Sequence, residues 1–386
     1  MQAKIPDNGP PMGMHAESTG NSLLIAAAQQ PDDDDVRLIY ADWLDDHDDP
    51  RGQFIRLQLA LGSPDTLKPQ EIAEKHSRML VLAKQEQTRW EEFFAMRGWK
   101  INRYELQRGL LNSFDMNADQ FLAYGSDMVA LTPVRNFRFA LVDGKALSSL
   151  LDHPAFKHIR GLDLHVNDIG DDGATILGEH QNVGDLVHLN LEHNHLTPAG
   201  IYGMTSGHCN LHNLRELRLG NDLLADPTMD ALTGSDLTLD TLTIINGGLT
   251  DDAMHILAGS RLLKHLRELD LVFGELTGAG AARLVNDPNV AGLQRLDLTT
   301  HFGISDAGAQ AIAASPHLGA LEDLQLFNCT IGDAGGMALA GTQNLPSLRV
   351  LNLANNIFGQ ESIQALRQTA KERGFIVDTA YYAPED

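Results

Sequence analysis

The chain has 386 residues, 43% hydrophobic, 21% charged and 6% aromatic, with 35 glycines and two cysteines. That length supports a large core. An excess of 52 acidic over 29 basic residues gives a formal charge of −23, which repels phosphate backbones and anionic headgroups and so disfavours general nucleic-acid and membrane binding. No apolar run approaches the roughly 20 residues of a membrane span, and the first 20 residues lack a signal-like hydrophobic stretch. The expectation is a cytoplasmic, monomeric protein in which Cys209 and Cys329 are free, buried thiols.

Residues 1–16, rich in Pro, Gly and Met without periodicity, read as a disordered leader. Residues 17–61 read as three short helices, with Pro31 and Pro50 marking two of the starts. Val36, Ile39, Tyr40, Trp43 and Leu44 recur at spacings of three and four, and Phe54, Ile55, Leu57, Gln58 and Leu61 line a face of the next helix, so the three can share a core. The run Asp32, Asp33, Asp34 and Asp35, with Asp42, Asp45, Asp46, Asp48 and Asp49, invites a calcium reading. Helical Leu38, Tyr40 and Trp43 interrupt the alternation that a calcium loop needs, which favours helix capping, a solvated face and pairing with Arg37, Arg51 and Arg56.

The stretch PDDDDVRLIYADWLDDHDDPRGQFIRLQLAL resembles the bacterial repeat-companion domain, a short helical module commonly found ahead of repeat arrays. The matching residues are Asp34, Arg37, Leu38, Tyr40, Ala41, Asp42, Trp43, Leu44, Asp49, Pro50, Arg51, Phe54, Ile55, Arg56, Leu57 and Gln58. The resemblance brings no catalytic role with it. Residues 62–133 follow as a linker, a long helix over 69–98 carrying Leu80, Leu82, Trp90, Phe93 and Phe94, and a strand or hairpin, RYELQRGLLNSFDMN, that caps a sheet edge.

From residue 134 to 386 a pattern L-x-x-L-x-L-x-x-N-x-L recurs, opening at Val134, Ile159, Leu186, Leu214, Leu239, Leu266, Leu293, Leu321 and Leu348. Each copy gives a strand and a turn, and segments such as LTDDAMHIL and ISDAGAQAI place a helix after it. The asparagine position is held by Asn167, Asn194 and Asn356 but by Asp222, Gly247, Gly274 and Cys329 elsewhere, and the seventh copy has an extra residue in TTHFGI. These units resemble leucine-rich repeats of the ribonuclease-inhibitor-like subtype. The resemblance implies an α/β horseshoe solenoid with a parallel sheet inside and helices outside, next to the small all-helical module. Gly374 stops a last helix, and residues 375–377 read as a closing strand.

Third, fifth and seventh strand positions point to the concave face. The fifth column includes Asp163, Asn190, Arg218, Asp270, Asp297 and Gln325 and is polar throughout, whereas the seventh runs from His165 and Glu192 to apolar Ile245, Val272 and Phe327. With Glu268 and Phe273 added, the later half predicts an acid-rimmed apolar strip for a basic or amphipathic protein or peptide. His165, His188 and Glu192 form a weaker zinc candidate, and Arg103, Arg135 and Arg138 can be scanned for a GTPase-activating arginine. No nucleophile, phosphate-loop or dinucleotide motif stands in a strand–turn–helix context, so the expectation is a non-enzymatic interaction scaffold without cofactor. A GTPase-activator-like regulator or a metal-dependent activity is the alternative.

Overall fold

A computed structural model describes residues 18–30, 33–62 and 68–380. The expected leader, Pro31, Asp32 and part of the linker lie outside the described residues. The chain divides into two compact units. One comprises the chain up to Ala140 with His153–Ile159, and the other comprises Leu141–Asp152 with the chain from Arg160 onward. The strand of the copy that opens at Val134 thus belongs to the first unit.

In the first unit, α1 (Ser18–Gln29), α2 (Asp34–Asp45) and α3 (Arg51–Gly62) precede the long α4 (Pro69–Arg97). Asp33 caps α2 by accepting from the amides of Asp35 and Val36 at 3.0 and 3.3 Å, so part of the acidic run acts at a helix start. Tyr40, Leu44, Phe54, Ile55 and Leu57 are buried as the spacing predicts, but Ile39 and Leu80 are 53% and 54% exposed and Trp43 is half-buried. Gly98, with φ +68°, ends α4 in the left-handed cap that glycine favours.

A hairpin follows: β1 (Arg103–Gln107) pairs antiparallel with β2 (Leu110–Asn117) around Arg108 and Gly109, both at positive φ as a two-residue hairpin turn requires. After α5 (Ala118–Leu131), β3 (Asn136–Ala140) lies parallel to β2. The residues of the companion-domain pattern grip this hairpin. Arg37 donates to the Arg108 carbonyl at 3.4 Å, Gln58 accepts from the Gly109 amide, and a Cβ at Gly109 would sit 2.6 Å from the Ile55 Cα. Arg51, 6% exposed, holds Asp49 through three hydrogen bonds, and the buried Glu86 of α4 pairs with Arg89 at 3.0 Å. Burial pushes the Glu86 carboxyl above its ordinary range.

The second unit stacks nine short strands in sequence order, all parallel: β4 (Gly161–Asp163), β5 (His188–Asn190), β6 (Glu216–Gly220), β7 (Thr241–Ile245), β8 (Glu268–Val272), β9 (Arg295–Asp297), β10 (Asp323–Gln325), β11 (Val350–Asn352) and β12 (Ile376–Asp378). A helix follows each strand from β4 to β11, and successive helices pack on one another as a second layer. The unit is an α/β solenoid with an open sheet, the horseshoe architecture that wider helices on one side and 4.8 Å strand spacing on the other produce. Leucines such as Leu217, Leu242, Leu269, Leu296 and Leu324 are fully buried between the layers.

Two polar ladders run along this core. Asn356 donates to the carbonyls of Leu326 and Leu353 and accepts from the amides of Cys329 and Ile331, all within 3.0 Å. Cys329 fills the same place one copy earlier, its thiol donating to the Leu298 carbonyl at 3.1 Å, and burial lifts its pKa to about 12. Cys209 is only half-buried, a correction to the expectation of two buried thiols. In the second ladder, aspartates at helix starts receive the next copy: Thr197 bonds Asp171, Thr250 bonds Asp226 and Thr277 bonds Asp251, each through amide and hydroxyl, while Asp306 and Asp333 receive the Gly332 and Gly359 amides. These acidic side chains satisfy amides at helix starts that would otherwise lack partners.

The seventh copy replaces asparagine by a device the pattern did not reveal. His301, 1% exposed, lies with Nε2 at 2.9 Å from the Leu271 carbonyl and accepts at Nδ1 from the Leu276 amide at 3.2 Å. The contacts specify a neutral ring protonated at Nε2. Gly274 makes room, since a Cβ there would fall 2.7 Å from His301 Cε1. Burial lowers the His301 pKa, so the folded state resists the proton that the unfolded chain takes up near its ordinary value of about 6.5. Stability from this group is present above that value and lost as pH falls below it. Denaturant titration at pH 7.5 and 5.5 should show a drop that His301→Asn reduces; an equal drop in the variant would remove His301 as its source.

Candidate functional site

The strands present their third, fifth and seventh side chains on the sheet face away from the helices, and in five of them the fifth residue bonds the backbone where the strand ends. Asp163, Asn190, Asp297, Asn352 and Asp378 each accept from the amide two residues ahead at 2.8–3.0 Å, and each is the last residue of its strand. Such a side chain competes with the ladder for the backbone. Where the fifth residue is Arg218, Thr243 or Asp270, β6, β7 and β8 run two residues further, and Ile245 and Val272 become direct register neighbours.

At the early copies the face is polar and internally paired. Glu192, 6% exposed, takes Arg218 Nε at 3.1 Å and lies 3.9 Å from His165 Nδ1, whose ring meets that of His193 edge-on. His188 Nδ1 instead lies 2.8 Å from Glu216. His165, His188 and Glu192 therefore do not converge: third and seventh positions are about 13 Å apart along an extended strand, and the two histidines have different carboxylate neighbours. No group of three or more His, Cys, Asp or Glu arranged for a metal occurs among the described residues. Of the scanned arginines, Arg135 is turned onto the Thr132 and Val134 carbonyls at 3.1 and 2.6 Å, Arg138 pairs with Asp115 at 3.4 Å, and Arg103 is exposed on β1.

At the later copies the sequence reading missed a residue. Arg295, in the third column, binds Asp270 through Nε and Asp297 through Nη2, each at 3.0 Å, and Asp323 through Nη1. Asp297 is 9% exposed and engaged with both Arg295 and the Thr299 amide, so it holds the face together rather than lining it freely. Gln325 donates to Asp323 at 2.6 Å and accepts from Asn352 at 2.8 Å. Alternating strand charges would have flagged Arg295 had the third column been read beside the fifth.

Asp270 is half-buried and Glu268 exposed. Burial, with Asp297 and Glu268 adding to it, raises the Asp270 pKa despite Arg295. Beside these carboxylates, Ile245, Val272 and Phe327 are half-buried, while Phe273 and Phe302 on the following turns are 51% and 56% exposed. Phe302 lies in the extra segment of the seventh copy, directly after the buried His301. Phe273 holds φ +62°, a left-handed turn shared by the equivalent residues of other copies, among them Val166 and Asn246.

The repeats are those of a known class: residues 185–204, 263–285 and 321–340 match a family model described as Leucine Rich repeat, so the chain carries leucine-rich repeats. No curated protein matches it. Solved structures to which it is similar include a chain of the Rad7 and Elc1 complex from yeast, 16% identical over 58% of this chain and 70% of that one, with a TM-score of 0.33. Another is an internalin (inlF) from Listeria monocytogenes, 16% identical over 66% of this chain and 82% of that one, with a TM-score of 0.29. Among the described residues no helix is long and apolar enough to cross a membrane.

Proposed function

We propose that the chain is a non-enzymatic interaction scaffold whose sheet face binds a basic or amphipathic protein segment along β7 to β10. The observation that carries this reading is the exposure of Phe273 beside half-buried Val272 and its register neighbour Ile245, next to an acidic group that one arginine leaves in excess. Aromatic and aliphatic anchors rimmed by charge are what protein recognition uses. Asp163, His165, Asn190, Glu192 and Arg218 supply a polar flank to the same face. Asp270, Glu268 and Gln325 are its acidic and amide edge, with Asp297 as support.

The β–α units of about 27 residues favour the ribonuclease-inhibitor-like subtype, and the grip of Arg37, Ile55 and Gln58 on the hairpin favours a bacterial repeat-companion module that holds this hairpin in place. Two thiols with no disulfide suit a reducing, cytoplasmic compartment. The test is quantitative affinity capture with the intact chain and a Val272→Asp/Phe273→Ala variant. A variant with unchanged far-ultraviolet dichroism should lose its principal partner at least about tenfold, the scale of losing a buried apolar anchor. Equal capture would reject the sheet face as the binding surface.

A further inference from the structure

Resting on that reading, we infer that the sheet face holds a subsite for one basic side chain of the partner, between Thr243 of β7 and Asp270 of β8. Three carboxylates, Asp270, Asp297 and Asp323, surround the single guanidinium of Arg295, which leaves two formal negative charges, and exposed Glu268 adds a third two residues from Asp270 on the same face. Their acceptor capacity is unevenly used. Asp297 takes the Thr299 amide and Asp323 takes Gln325, but Asp270 meets Arg295 only through Oδ1, and its Oδ2 has no hydrogen-bond partner among the described residues.

A second observation points to the same spot. Thr243 is 2% exposed, and its Oγ1 is a buried atom without a hydrogen-bond partner. The parallel register sets Thr243 directly beside Asp270, and Thr241 beside Glu268. An unsatisfied buried hydroxyl is destabilising, and a valine would fill the position without that loss. A donor cation from outside meets both acceptors: its N–H groups pair with Asp270 Oδ2 and, once the side chains covering it part, with Thr243 Oγ1, and its charge lowers the local excess from three negative charges to two. An Arg or Lys provides several such donors, and its alkyl stem can lie on Ile245 and Val272, the next residues on the same face of the two strands. The ligand class is therefore a protein segment with a basic residue within one or two positions of an apolar one.

The experiment pans a displayed random heptapeptide library against the full chain and measures the enriched peptides on four proteins: the parent, Asp270→Asn, Thr243→Val and Val272→Asp. Enriched peptides should carry Arg or Lys next to an apolar residue. Asp270→Asn keeps an oxygen for Arg295 and should weaken them by about tenfold, with a flatter salt dependence, as loss of a charge-assisted bond implies. Thr243→Val should weaken them while leaving the thermal midpoint equal or higher, a pairing of effects that a purely structural threonine would not give. Peptides without a basic residue, or indifferent to Asp270→Asn and Thr243→Val yet lost in Val272→Asp, would overturn the subsite and leave the sheet-face reading standing. Peptides that bind Val272→Asp as well as the parent, or a library without binders, would overturn both.

Discussion

Arg51→Met is expected to lower stability by about 3–5 kcal/mol, the scale of leaving a buried charge uncompensated. Arg51 and Glu86 have side chains only 7% exposed, and Asp49 receives three hydrogen bonds from the Arg51 guanidinium. Burial works against the Asp49 carboxylate, but those bonds hold its pKa below the ordinary range. Without the guanidinium, Asp49 loses its partner while α2, α3 and α4 still close around it. Denaturant unfolding of the full chain should show the loss in the transition of the first unit. Replacing the exposed Arg56, which bridges Asp42 and Asp45 at the surface, should change stability by less than about 1 kcal/mol.

Asn356→Ala should be comparably severe, about 3–5 kcal/mol, because it strands two amides and two carbonyls inside the last repeats. Asn194 offers a control. Its Nδ2 donates to the Leu164 and Leu191 carbonyls, but its Oδ1 has no partner, so Asn194→Ala should cost less. Thermal or denaturant midpoints of the two variants check this, and an Asn194 loss equal to that of Asn356 would contradict the ladder account.

The architecture was legible because a leucine repeat is a periodic statement about burial, and each strand leucine from Leu162 to Leu351 faces the core. The helix starts were legible for the same local reason, since their residues act on their own backbone, whereas the segment around Arg108 and Gly109 read only as a strand or hairpin and its turn emerged from the structure. What escaped the sequence depends on neighbours from another copy. His301 substitutes for asparagine only because Gly274 opens the space beside it. Arg295 gathers Asp270, Asp297 and Asp323 from three adjacent strands, so a column of aspartates that looked like a free acidic edge is partly an internal ion cluster. Ile39 fits a helical stripe yet faces solvent, because helical spacing marks a face without saying how far the neighbouring helix covers it.

The most direct test of the sheet-face account places a photo-crosslinking phenylalanine analogue at position 273, on the turn after β8, and in a second protein at position 202, where Tyr202 is 64% exposed on the helix Pro198–Thr205. Irradiated with partner-containing lysate, the position-273 protein should form a discrete cross-linked adduct that the position-202 protein does not. An adduct from position 202 with none from 273 would place recognition on the helical side and contradict the account.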